Sequence, residues 1–108
     1  MMKLNQKEFD KAVRRAYNRI PMEIRERMEN VALVVKKRPS RELLEEMGYP
    51  PDEPLLGLYE GAALAEQSFF SPPPLHPDTI FIFQEPLEEM CGSLAELERE
   101  IEITVVHE

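Results

Sequence analysis

Near the end of the 108-residue sequence, Val105 and Val106 are followed by His107 and Glu108. An imidazole can ligate a transition metal through a ring nitrogen, and a carboxylate beside it can serve as a general base. Taken alone the dipeptide says little, because chance supplies His-Glu often and a solvated histidine is the ordinary reading. Its setting adds weight, since it closes an apolar segment that opens with a strong helix-start signal at Ser93. Adjacent helical residues point about 100° apart, so His107 and Glu108 form a poor chelating pair for one ion. A second histidine four residues on would share a face with the first, and both would reach a single zinc ion, as in a His-Glu-x-x-His helix. The glutamate then points to the adjoining side, where it can take a proton from a zinc-activated water whose pKa falls towards about 7.

Other chemistry-bearing residues carry less. His76 sits in a proline-rich stretch and could approach a metal, but an exposed loop histidine is the simpler reading. Glu60, at the end of an expected strand, could contact substrate, although an ordinary strand-end carboxylate explains it as well. Glu96, Glu98, Glu100 and Glu102 recur at alternate positions. They read as a solvated face, since oxygen-ligand loops for calcium need turn residues these positions lack. Cys91 has no basic neighbour in sequence and reads as a packed thiol. No glycine-rich phosphate loop is present.

The elements that must position these residues can be read in order. Asn5 is an N-cap, with Glu8 placed to reciprocate. Phe9, Val13, Ala16 and Ile20 then fall on one helical face, with Lys7, Lys11, Arg14 and Arg15 opposite. Pro21 stops that helix, and a second short one is expected over 22–29. The β-branched run 31–35 predicts a strand buried on both faces. Ser40 caps a third helix over 41–47, with Gly48 as a left-handed stop. Pro50, Pro51 and Pro54 stiffen the following loop. A second strand is expected over 55–61, where Gly57 suggests a bulge or a close backbone approach. Residues 62–70 support either a hairpin extension or a loop, and 71–77 read as an extended loop. The clearest strand is 79–83. Pro86 opens a short helix through Met90.

From Ser93 onward two readings compete. Ser93 and Glu96 form a capping box, and Leu94, Leu97, Ile101 and Val105 make a helical stripe. Against this, 101–106 is β-branched and begins with strand-like alternation. In a helix, Ile101, Ile103, Val105 and Val106 would point all around the axis. A helix apolar on every side belongs in the interior, so the expectation is a buried helix.

Composition sets the bounds. The length suits one domain, 1–108, with a modest core, and apolar residues at 43% suit a folded soluble protein. Tryptophan is absent, so the core leans on aliphatic residues, Met and Phe. A lone cysteine forms no intrachain disulfide and no Cys-x-x-Cys pair; with no apolar signal segment at the start, a cytoplasmic location is expected. No apolar run approaches the roughly 18–20 residues of a membrane helix. The net charge of −8 conceals an asymmetry: residues 1–41 carry +7 and residues 42–108 carry −15. A basic arm suggests nucleic-acid binding, but aromatic residues do not interleave with the charges as single-strand binders require. Solvated basic helices packed near an acidic half are the preferred reading, without nucleic-acid or membrane partners.

Several short patterns occur in a consistent order: Asn30-Val31, then Leu55-Leu56-Gly57-Leu58-Tyr59-Glu60-Gly61, then Pro77-Asp78-Thr79-Ile80-Phe81-Ile82-Phe83, then Pro86-Leu87-Glu88 with Cys91, and finally Val105-Val106-His107-Glu108. This ordered set resembles the minimal zincins, a family of predicted zinc metallopeptidases, along most of the chain. The resemblance implies an α+β fold: a small mixed sheet of three to four strands packed against helices, with a C-terminal active-site helix. It implies hydrolysis of a peptide or protein substrate, with His107 as a zinc ligand and Glu108 as the catalytic base. It also implies an edge strand above that helix for an extended substrate, a role open to 55–61 or to 79–83. In the family the motif continues with a second histidine, a glycine-containing turn and an acidic third ligand. All would lie past Glu108, so the chain is expected to be truncated within the motif, to bind zinc weakly and to be inactive as written. The rival reading is a non-enzymatic peptide-binding or interaction module on the same fold, distinguished by reading the coding sequence past Glu108.

Overall fold

A computed structural model describes residues 3–61 and 78–107. The described residues form five helices and one three-stranded sheet: α1 (Gln6–Arg19), α2 (Met22–Arg27), β1 (Val31–Lys36), α3 (Arg41–Glu46), β2 (Gly57–Glu60), β3 (Asp78–Phe83), α4 (Gln84–Met90) and α5 (Leu94–His107). The sheet order is β1-β3-β2. β1 runs parallel to β3 from Val31 opposite Asp78 to Lys36 opposite Phe83, and β2 runs antiparallel to β3 from Gly57 opposite Ile82 to Glu60 opposite Thr79. The sheet is therefore mixed and the class α+β, as expected.

α1 starts where its signals place it. The Asn5 side chain accepts the Glu8 N–H, and the Glu8 carboxylate accepts the Asn5 N–H. Phe9, Ala12, Val13 and Ala16 are buried along one stripe, and Ile20 closes it. That stripe meets Leu97, Ile101 and Val105 of α5, with Ile80 and Ile82 of β3 beneath. Phe9, Leu97 and Ile101 are fully buried, each stabilising the fold by roughly 1.5–3 kcal/mol.

Several boundaries differ from the sequence reading. α2 ends at Arg27 rather than at 29, because the Val31 N–H donates to the Met28 carbonyl and turns the chain into β1. β1 is half-buried rather than covered on both faces. It is an edge strand, so Val31, Leu33 and Val35 pack on the core while the alternate residues face away. α3 is capped by Ser40, whose hydroxyl accepts the Leu43 N–H, and Gly48 follows with φ 77° as the left-handed stop. β2 is shorter than expected, and Gly57 pairs in regular register without a bulge. The close approach lies instead at Gly61, where a Cβ would stand 2.5 Å from the Tyr59 ring. α4 begins at Gln84, two residues before Pro86. The proline tolerates this position because the first-turn N–H groups lack helical partners.

α5 settles the contested segment as a helix. Ser93 accepts the Glu96 N–H, and the Glu96 carboxylate accepts the Gly92 N–H. Tertiary packing then overrides the β-branched preference of its last turns. The helix is not interior on every side. Leu97, Glu98, Ile101, Thr104 and Val105 are buried, while Ile103 and Val106 are 41% and 42% exposed. α1 covers a single face of α5 and leaves the other to solvent. No helix among the described residues is long and apolar enough to cross a membrane.

Candidate functional site

His107 is the last residue of α5 and is exposed. Its Nδ1 lies 2.8 Å from the Ile103 carbonyl oxygen. A carbonyl only accepts, so Nδ1 carries the proton and, in the neutral ring, Nε2 presents its lone pair outward. Metal-binding histidines commonly use such a backbone bond to fix tautomer and ring orientation. His107 thus fits one nitrogen ligand of a zinc site. Among the described residues no group of three or more His, Cys, Asp or Glu side chains is arranged to hold a metal. Glu108 and His76 lie outside the described residues.

The last turn of α5 also lines a cleft of about 480 Å³. Ile24, Met28, Val31, Ile80 and Val105 give it an apolar side, and Arg27 adds a cation. Tyr59 and Asp78 complete the wall, and the Tyr59 hydroxyl donates to the Asp78 carboxylate. That bond, with desolvation and the Asp78 charge, raises the Tyr59 pKa above the ordinary tyrosine range. The cleft lies where β1 and β3 begin and where α5 ends, so one helix positions both His107 and an apolar wall.

The remaining sequence candidates are dispersed. Glu60 is exposed at the end of β2. Of the two stretches proposed to hold an extended substrate, 79–83 is excluded. β3 is central and paired on both sides, which leaves the outer edge of β2 free among the described residues. The acidic face of α5 is not uniformly solvated. Glu98 is 3% exposed and forms ion pairs with Arg15 at 3.3 Å and Arg19 at 2.6 Å. Cys91 is buried, and burial first, then Glu100 and Glu96, raises its thiol pKa, which disfavours the reactive thiolate. Sequence reading missed the Tyr59–Asp78 bond and Arg27's place in the cleft. The first depends on the β2–β3 register and the second on how α2 lies over the sheet, neither of which has a local signal.

Residues 28–108 match the sequence pattern of the family described as Zincin-like metallopeptidase. The chain is a member of the zincin-like metallopeptidase family. A search among curated proteins found no match. The matched region runs from the end of α2 through α5 and contains the three described strands, His107 and most of the cleft lining, with Ile24 and Arg27 preceding it. For a member of this metallopeptidase family, the sequence pattern ending in His107 and Glu108 and the α+β architecture are mutually consistent.

Proposed function

We propose that this zincin-like chain contributes to a zinc-dependent peptidase site, with His107 as a metal ligand and Glu108 as general base. The observation that carries the reading is the His107 Nδ1–H bond to the Ile103 carbonyl at the end of a core-packed helix. It leaves Nε2 available to a metal, the role that the resemblance implies for His107. Bound zinc would supply a water of lowered pKa and polarisation of the scissile carbonyl. Glu108 would accept the proton of the attacking water and return it to the leaving amine. The outer edge of β2 offers main-chain hydrogen bonds to an extended peptide, and the apolar cleft beside Val105 receives a side chain. Catalytic zinc sites use three protein ligands, so His107 acts with ligands beyond the described residues.

Metal analysis of the protein expressed with its natural C-terminus tests this. About one zinc per chain is expected, lost in His107→Ala and kept in Glu108→Gln. Glu108→Gln should lower peptide hydrolysis by about a hundredfold or more. Stoichiometric zinc in His107→Ala removes His107 from the site. Peptide binding without zinc or hydrolysis in the natural protein supports the non-enzymatic module instead, which would use the β2 edge, unpaired among the described residues, and the cleft.

A further inference from the structure

At the opposite end of the parallel strand pair from His107 lies a second cleft, of about 410 Å³. That is within the range of roughly 300–1,000 Å³ common to small-molecule pockets. It sits where β1 ends, at Val35 to Lys37, and where α4 leaves β3, at Gln84 to Glu88. Ligands of open α/β sheets bind outside the carboxyl ends of strands, and this cleft occupies such a position for β1 and β3.

Its floor is polar and buried. Glu88 is 4% exposed and Gln84 8%. Glu88 Oε2 accepts the Leu4 N–H at 2.8 Å and the Gln84 Nε2–H at 3.1 Å, while Gln84 Nε2 also donates to the Leu4 carbonyl at 3.0 Å. Both partners of Nε2 are acceptors, which fixes the orientation of the amide. Two acceptors then remain unused, Glu88 Oε1 and Gln84 Oε1. Neither receives a hydrogen bond from the described residues, and neither is sealed from solvent. Both residues line the cleft. Holding the Leu4 backbone uses only Oε2 and leaves Oε1 able to accept from a bound donor in place of water.

The rim has the opposite sign. Lys3, Lys36 and Lys37 line the cleft. Glu85 is taken up by an ion pair with Arg38, and the Lys36 ammonium lies 5.8 Å over the Phe81 ring. Lys3 and Lys37 are exposed and carry no ion pair among the described residues. A molecule that satisfies floor and rim together carries an ammonium for Glu88 and Gln84 and an anionic group for Lys3 and Lys37. Leu4 and Val35 add apolar wall beside it. We propose that this cleft binds a small zwitterion of the α-amino-acid class, its ammonium on Glu88 Oε1 and its carboxylate on the lysine rim. The assignment is independent of the peptidase reading, because it uses neither His107 nor a metal.

The probe is L-leucine, titrated into isotopically labelled protein and followed by amide and methyl NMR shifts. Isopentylamine and isocaproate serve as its two half-molecules. Leucine should shift Val35, Lys37 and Gln84 in a saturable manner, and each half-molecule should bind at least about tenfold more weakly, as loss of a charge-assisted hydrogen bond predicts. Glu88→Gln keeps an acceptor for Leu4 and should weaken leucine by about tenfold. Lys37→Ala, at an exposed position that leaves the fold intact, should weaken leucine and isocaproate by about threefold and leave isopentylamine unchanged. Equal binding of leucine and isopentylamine, unchanged affinity in Lys37→Ala, or the absence of saturable shifts in the wild-type protein would each overturn the assignment.

Discussion

The contact between α1 and α5 contains an asymmetry that mutation can expose. Glu98 on α5 keeps 4% of its side chain exposed, whereas its partners Arg15 and Arg19 on α1 are each 53% exposed. The cost of burial therefore falls on the carboxylate. Replacing both arginines with alanine strands that carboxylate, and an uncompensated buried charge costs about 3–5 kcal/mol. Half-exposed partners imply some access for water, so the lower end, about 3 kcal/mol, is expected here. Alanine is the best helix former, so α1 itself is not weakened by the change. Glu98→Gln is milder: the amide still accepts from a guanidinium, and the arginines return to water, at a cost of about 1 kcal/mol. Urea unfolding followed by circular dichroism measures both, with the midpoint shift read at constant slope. The Arg15→Ala/Arg19→Ala double variant should also melt more than about 10 °C below wild type. A Glu98→Gln variant as destabilised as the double variant would refute the reasoning, since the burden would then lie on the arginines.

Three further outcomes follow from other parts of the molecule. Gly48 has φ 77° with open space around its Cα, so Gly48→Ala should cost about 1–2 kcal/mol from left-handed backbone strain alone, measured by the same unfolding. Burial raises the Cys91 thiol pKa, so native protein should react with a thiol reagent at neutral pH far more slowly than unfolded protein; equal rates would contradict that placement. The Tyr59 pKa is raised chiefly by its hydrogen bond to Asp78. Its contribution to stability is then present below the unfolded tyrosine value of about 10 and lost as pH rises through the higher folded value. Tyr59→Phe should flatten that alkaline loss, and the difference between the two phenolate titrations should show a group ionising above the ordinary range.

Much of the architecture was legible before any coordinates. Cap chemistry is local, so Asn5 with Glu8, Ser40, Gly48 and Ser93 with Glu96 marked their helix ends correctly. The β-branched runs around Leu33 and Ile80 located two strands, and capping outweighed β propensity across 101–106. The ordered patterns that end at His107 and Glu108 pointed to the metallopeptidase family that residues 28–108 match. Strand order was not legible, because pairing joins residues far apart in the chain. Only the sheet shows that β3 is central, and that β1 is a half-buried edge. Burial around α5 was equally non-local. Its sequence is apolar around the axis, yet α1 covers one face, so Glu98 enters the interior with two arginines while Ile103 and Val106 face water. The way Glu88 and Gln84 hold the Leu4 backbone joins residues 80 or more positions apart, and local composition carries no trace of it.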